Sequence, residues 1–179
     1  VSAPLWLDAF PHTWQVAHEA TVSGRVETVV YYPGASREGG SDGTWLRITA
    51  ADGTEWTGVF SSDNLPGRLN VVTSWPDPDV VMVAAGGDPY LVRADDPDTW
   101  SRLGRSTAHR LEPVGGLALV LDDEVLAAYD GRGLAWESEA VPGSTWLGVL
   151  DDDVHLRSGG LLHRVALRHG RTTTEAASW

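Results

Sequence analysis

The chemistry in this chain begins with its tryptophans, nine in 179 residues. Trp45, Trp56 and Phe60 fall in one short segment, with Arg47 among them. Asp52-Gly53, flanked by alternating residues, signals a two-residue type I′ hairpin turn. Such a turn pairs Ala51 with Thr54, Thr49 with Trp56, Arg47 with Gly58 and Trp45 with Phe60. Side chains alternate across a strand, so Trp45, Arg47, Trp56 and Phe60 are expected on one face, with Leu46, Ile48 and Val59 on the other. Exposed, that set is a ligand-binding platform for sugars, bases or proline-rich peptides. Buried, the same rings are core. Arg47 discriminates, because an unpaired arginine is too costly to bury.

The histidines form a second constellation. With Ser158-Gly159-Gly160 as a three-residue hairpin loop, His155 lies opposite His163, in reach of one metal ion. With a two-residue Gly159-Gly160 loop, His155 pairs with Arg164 and the site disappears. Acidic residues cluster at Asp77/Asp79, Asp95/Asp96/Asp98, Asp122/Asp123/Glu124 and Asp151/Asp152/Asp153. None of these clusters has calcium-loop spacing, and each lies at a predicted strand end, where Asp favours turns by bonding backbone. No metal or other cofactor is therefore expected. From His155 to Thr174 the chain carries Arg157, Arg164, Arg168 and Arg171, three histidines and no acid. That stretch reads as a basic partner surface on an acidic protein.

Composition narrows the chemistry further. The absence of cysteine removes disulfides, thiolate metal sites and cysteine nucleophiles. All 13 basic residues are arginine, so a Schiff-base lysine and a phosphate-loop lysine are absent too. No Gly-x-Ser-x-Gly elbow, His-Glu-x-x-His or dinucleotide glycine fingerprint occurs, and an enzyme is the less favoured class. The net charge of −12 disfavours nucleic acid and anionic membrane as partners. The N-terminal Val1-Ser2-Ala3-Pro4 lacks a basic region followed by an apolar stretch, which points to the cytoplasm.

The elements that position these residues read as strands. Runs rich in Val, Leu, Trp and Thr recur between Gly, Asp and Pro at Arg25–Tyr32, Thr44–Ala51, Glu55–Phe60, Arg68–Ser74, Val80–Ala85, Pro89–Ala94, Leu117–Leu121, Val125–Tyr129 and Leu161–Leu167. Leu5–Phe10 and Asp96–Trp100 are the best candidates for single helical turns. The Gly-rich segment Pro33–Gly43 reads as a flexible loop.

Val120-Leu121-Asp122-Asp123-Glu124-Val125 returns as Val149-Leu150-Asp151-Asp152-Asp153-Val154, 29 residues later. A looser copy covers Val80–Ala94, and Trp100 and Trp136 stand at equivalent ends, 36 residues apart. Leu126-Ala127-Ala128-Tyr129-Asp130-Gly131-Arg132-Gly133-Leu134-Ala135-Trp136 resembles one repeat of the quinoprotein-type β-propellers, which implies a blade-like meander. The expectation is one all-antiparallel, all-β domain over residues 1–179, propeller-like, with a sandwich or barrel as the alternative. Its expected role is a non-enzymatic protein that engages another protein through a polarised acidic and basic surface, by analogy with bacterial immunity proteins. The alternatives are recognition of a carbohydrate or other small ligand by the aromatic face, and a small β-barrel enzyme with an apolar pocket.

Overall fold

The computed structural model describes residues 4–19, 28–33, 35, 43–61, 68–104 and 106–177. Among them are seventeen strands and no helix. In order these are β1 (Leu5–Leu7), β2 (Gln15–Glu19), β3 (Val29–Tyr31), β4 (Gly43–Thr49), β5 (Glu55–Ser61), β6 (Val71–Ser74), β7 (Val80–Ala85), β8 (Asp88–Arg93) and β9 (Trp100–Arg102). They continue as β10 (Ala108–Val114), β11 (Leu117–Asp122), β12 (Leu126–Asp130), β13 (Gly133–Glu137), β14 (Thr145–Leu150), β15 (Asp153–Ser158), β16 (Leu161–Ala166) and β17 (Thr172–Ala176). Neither proposed helical turn forms. Leu5–Leu7 is strand, and Asp96–Thr99 closes as a tight turn held by a Thr99 N–H to Asp96 carbonyl bond of 3.0 Å. Most of the Pro33–Gly43 linker lies outside the described residues.

The strands make four open sheets, ordered β2-β4-β5-β3, β1-β6-β7-β8-β9, β10-β11-β12-β13 and β14-β15-β16-β17. The last two, and β6–β9 within the second, are sequential antiparallel meanders of the size of a propeller blade. The fold is all-β and built from antiparallel meander repeats. Two parallel pairs depart from the all-antiparallel expectation: β1 beside β6 and β3 beside β5. Both added strands have three residues and sit at sheet edges, which long connections can reach in either direction. Among the described residues no sheet closes on itself into a barrel.

Contacts divide the chain into two compact units, Val1–Leu103 and Gly104–Trp179. In the first, the inner faces of its two sheets meet over Trp14, Tyr32, Leu46, Ile48, Trp56 and Phe60 from one side. Val72, Val81, Val83, Tyr90 and Val92 come from the other. In the second, Leu119, Leu121, Leu126 and Ala128 pack on Val154, Leu156 and Val165. Each large side chain fully withdrawn from water contributes about 1.5–3 kcal/mol. An indole N–H also fastens sheet to sheet in both units. Trp56 donates to the Ala94 carbonyl at 2.8 Å, and Trp136 donates to the Leu167 carbonyl at 2.7 Å. Each acceptor is the residue that directly follows, or nearly follows, a meander's third strand, β8 or β16.

The repeat has a longer step than the hexapeptide echo indicates. Strands β7, β11 and β15 begin at residues 80, 117 and 153, and the Trp100 and Trp136 spacing matches that step. Trp100 lies opposite Val92 and Trp136 opposite Ala128. The echo at 29 residues instead aligns the β11–β12 hairpin with β14–β15, one strand out of phase. Acidic residues suit any strand-to-strand turn, so their recurrence marks turns and not equivalent positions.

Candidate functional site

The hairpin carrying the aromatic set is in a different register from the one expected. Ile48 faces Trp56, Arg47 faces Thr57, Trp45 faces Val59 and Thr44 faces Phe60. The loop has three residues, Ala51-Asp52-Gly53, because Gly53 takes φ +89° and the Ala50 amide closes on the Thr54 carbonyl at 2.9 Å. A turn followed by a left-handed glycine is the three-residue hairpin form. Adding one loop residue shifts the pairing by one and separates the set. Trp56 and Phe60 point into the core, at 1% and 0% exposure, and do not share a face with Trp45 and Arg47. The paired type I′ geometry occurs instead at Asp151-Asp152, with φ of 50° and 64°.

Trp45 and Arg47 remain on the outer face of the β2-β4-β5-β3 sheet, half-buried. There Tyr31 meets Trp45 edge-on with ring centroids 6.4 Å apart. Arg47 is paired, with Nε 3.3 Å from Glu19 Oε1 and a guanidinium nitrogen 3.8 Å from Glu55 Oε1. Those ion pairs remove the cost of its partial burial. A shallow depression of about 370 Å³ lies beside it, lined by Gln15, Ala17, Thr49 and Glu55 among others.

A second aromatic group, not foreseen from the hairpin, lies between the edge strands β3 and β9. The Tyr32 ring stacks on Phe60 at 4.4 Å with a 4° tilt, and meets Trp100 edge-on at 5.8 Å. Tyr90 joins Trp100 at 6.0 Å. The phenols are tied down: Tyr32 donates to the Pro97 carbonyl and Tyr90 to the Pro33 carbonyl, each at 3.0 Å. Burial pushes the Tyr32 hydroxyl far above the usual phenol range, helped by the carboxylates of Asp98 and Asp96. Trp100 is 41% exposed and opens onto a cleft of about 500 Å³, lined also by Val29, Val30, Tyr31 and Asp98. The sequence signal for it was the recurrence of Trp100 and Trp136 at strand ends.

The acidic clusters behave as turn-formers. Asp52, Asp77, Asp96 and Asp130 each accept the amide two residues on, at 2.8, 3.1, 3.2 and 2.7 Å. Buried Asp122 accepts both Glu124 and Val125 amides at 2.8 Å. In the first unit these turns converge, and Asp52, Asp79 and Asp95 line one depression of about 140 Å³. Arg93 pairs with two of these acids, 2.9 Å from Asp95 and 3.7 Å from Asp79. Asp95 is held below the usual carboxylate range by its hydrogen bond from Arg93, and Asp52 by the Thr54 amide.

In the second unit His155 pairs with Arg164 and Leu156 with His163, so the Gly159-Gly160 loop has two residues. The histidines therefore occupy opposite faces. His163 is buried, its Nδ1 2.9 Å from Thr174 Oγ1, and His155 is half-buried on the outer face. No group of three His, Asp or Glu suited to a metal ion occurs among the described residues. Arg157 and Arg164 share the outer face of the β14–β17 sheet with His155, and both are exposed. Arg164 pairs with Glu175 at 2.6 Å. The exposed Arg168 and Arg171 lie at the β16–β17 turn, where Arg168 stands 3.9 Å from Asp152. The four arginines thus divide between a sheet face and a turn end.

No family model matches the chain, and no curated protein matches it. Among solved structures, the N-terminal domain of Nup159 aligns over 97% of this chain at 12% identity, with a TM-score of 0.43. The chain spans about half of that structure, 53% of its length. No helix among the described residues is long and apolar enough to cross a membrane.

Proposed function

We propose that this is a binding protein that engages a basic protein partner through the acidic turn end of its first unit. The convergence of Asp52, Asp79 and Asp95 on one depression supports this most directly. Arg93 offsets part of that charge, and Asp77, Asp96 and Asp98 stand on the same two turns as Asp79 and Asp95. Clustered charge of one sign steers a complementary partner and rejects like-charged ones. The aromatic face offers less to a ligand, since half of the set is core.

The test is quantitative co-purification from extract of the source cells, comparing wild type with the Asp52→Asn/Asp77→Asn double variant. Each asparagine keeps the Oδ1 that accepts its turn amide and removes one charge. A basic protein enriched by wild type, released as salt rises and lost with the double variant, is the expected result. Equal enrichment by both proteins, or no specific enrichment at low salt, overturns the proposal.

A further inference from the structure

We infer that the cleft between β3 and β9 is a socket for an arginine side chain of the protein partner. This rests on the proposed binding of a basic partner and names the chemistry of one contact. Three observations carry it. The Trp100 indole is both exposed and held, because Tyr32 and Tyr90 brace it edge-on while their own hydroxyls are anchored to backbone. A fixed indole face attracts a cation without further ordering cost. Asp98 opens on the same cleft, and its carboxylate has no hydrogen-bond or ion-pair partner among the described residues.

The third observation is charge. No arginine or histidine lines the cleft among the described residues. Among the described residues, the arginines nearest to Trp100 along the chain are engaged elsewhere, Arg93 with Asp95 and Arg102 with Asp88. The cleft therefore joins a π face to a carboxylate that no described residue neutralises, with apolar walls from Val29 and Val30. A planar guanidinium satisfies both at once, stacking on the indole while it forks to the carboxylate. A sugar would need several hydrogen-bonding groups around the ring, and the lining supplies chiefly Asp98 and Tyr31.

The probe is acetyl-arginine amide, titrated into the whole protein with the Val29 and Val30 methyl resonances as readout. The neutral citrulline analogue and maltohexaose are run beside it. Saturable shifts with the arginine probe and none with citrulline are expected. Asp98→Asn weakens the response about threefold, and Trp100→Leu, which keeps apolar bulk but removes the π face, weakens it about two- to fivefold. A response equal for citrulline, a response to maltohexaose in place of arginine, or no saturation with arginine overturns the inference. Partner capture separates the two ideas. Capture lost with Asp52→Asn/Asp77→Asn but kept with Trp100→Leu defeats the socket and leaves the proposed function standing. Failure to capture any partner defeats that function, and the titration still decides whether the cleft takes a guanidinium.

Discussion

Two residues show how closely this small fold depends on single groups. Gly170 sits at φ +68°, and a Cβ there would fall 2.6 Å from Cε3 of Trp136. The glycine is what lets the indole reach the Leu167 carbonyl. Gly170→Ala combines left-handed strain with overpacking and is expected to cost about 2–4 kcal/mol in urea unfolding. Tyr32 acts through its proton. Its folded phenol holds that proton far above the unfolded value near ~10. Below that pH both states are neutral. Above it the unfolded chain ionises while the folded one does not, so stability falls by about 1.4 kcal/mol per pH unit for each such phenol. Tyr90 and Tyr129 are raised by burial as well. Urea midpoints measured above pH ~10 should decline less steeply in Tyr32→Phe than in wild type.

At the scale of elements, the β4–β5 hairpin assigns opposite fates to its two tryptophans. Trp56→Ala removes a ring with 1% exposure and its bond to Ala94, and should cost about 3–5 kcal/mol. Trp45→Ala, on the half-buried outer face, should cost about 1–2 kcal/mol. Equal losses in chemical denaturation would mean that the hairpin is in the other register. The β15–β16 hairpin makes a similar division between His155 and His163. With those ligands on opposite faces and the Asp carboxylates accepting turn amides, a chelator should leave the Tm of the protein unchanged. A drop reversed by one equivalent of zinc or calcium would contradict that assignment.

For the whole molecule, the net charge of −12 opposes compaction. Described ion pairs such as Arg110–Glu112 and Arg164–Glu175 lie at the surface, where each is worth at most about 1 kcal/mol. Screening should therefore relieve more repulsion than it removes attraction. Thermal melts in rising sodium chloride are expected to show an increase in Tm, and a decrease would place more weight on the ion pairs than their exposure supports. The same salt acts oppositely on partner capture, which depends on attraction between opposite charges.

Strand character was readable from residues because it depends on local alternation and punctuation. Val80–Ala85 and Glu55–Phe60 emerge within a residue or so of their observed limits. The 36-residue recurrence of Trp100 and Trp136 likewise points to repeated meanders, since each tryptophan faces a buried third-strand residue. What the sequence by itself left undetermined was mostly parity. Asp52-Gly53 is compatible with loops of two or three residues, and Gly159-Gly160 with the same pair of choices. One residue of loop moves every side chain beyond it to the other face. Tertiary packing decides between them: sinking Trp56 and Phe60 beside Tyr32 and Tyr90 buries two large rings, while Arg47 emerges beside Glu19 and Glu55. The Trp100 cleft was out of reach for a related reason. Its walls come from β3 and β9, about 70 residues apart in the chain, and only the packing of two sheets brings a strand edge from each together.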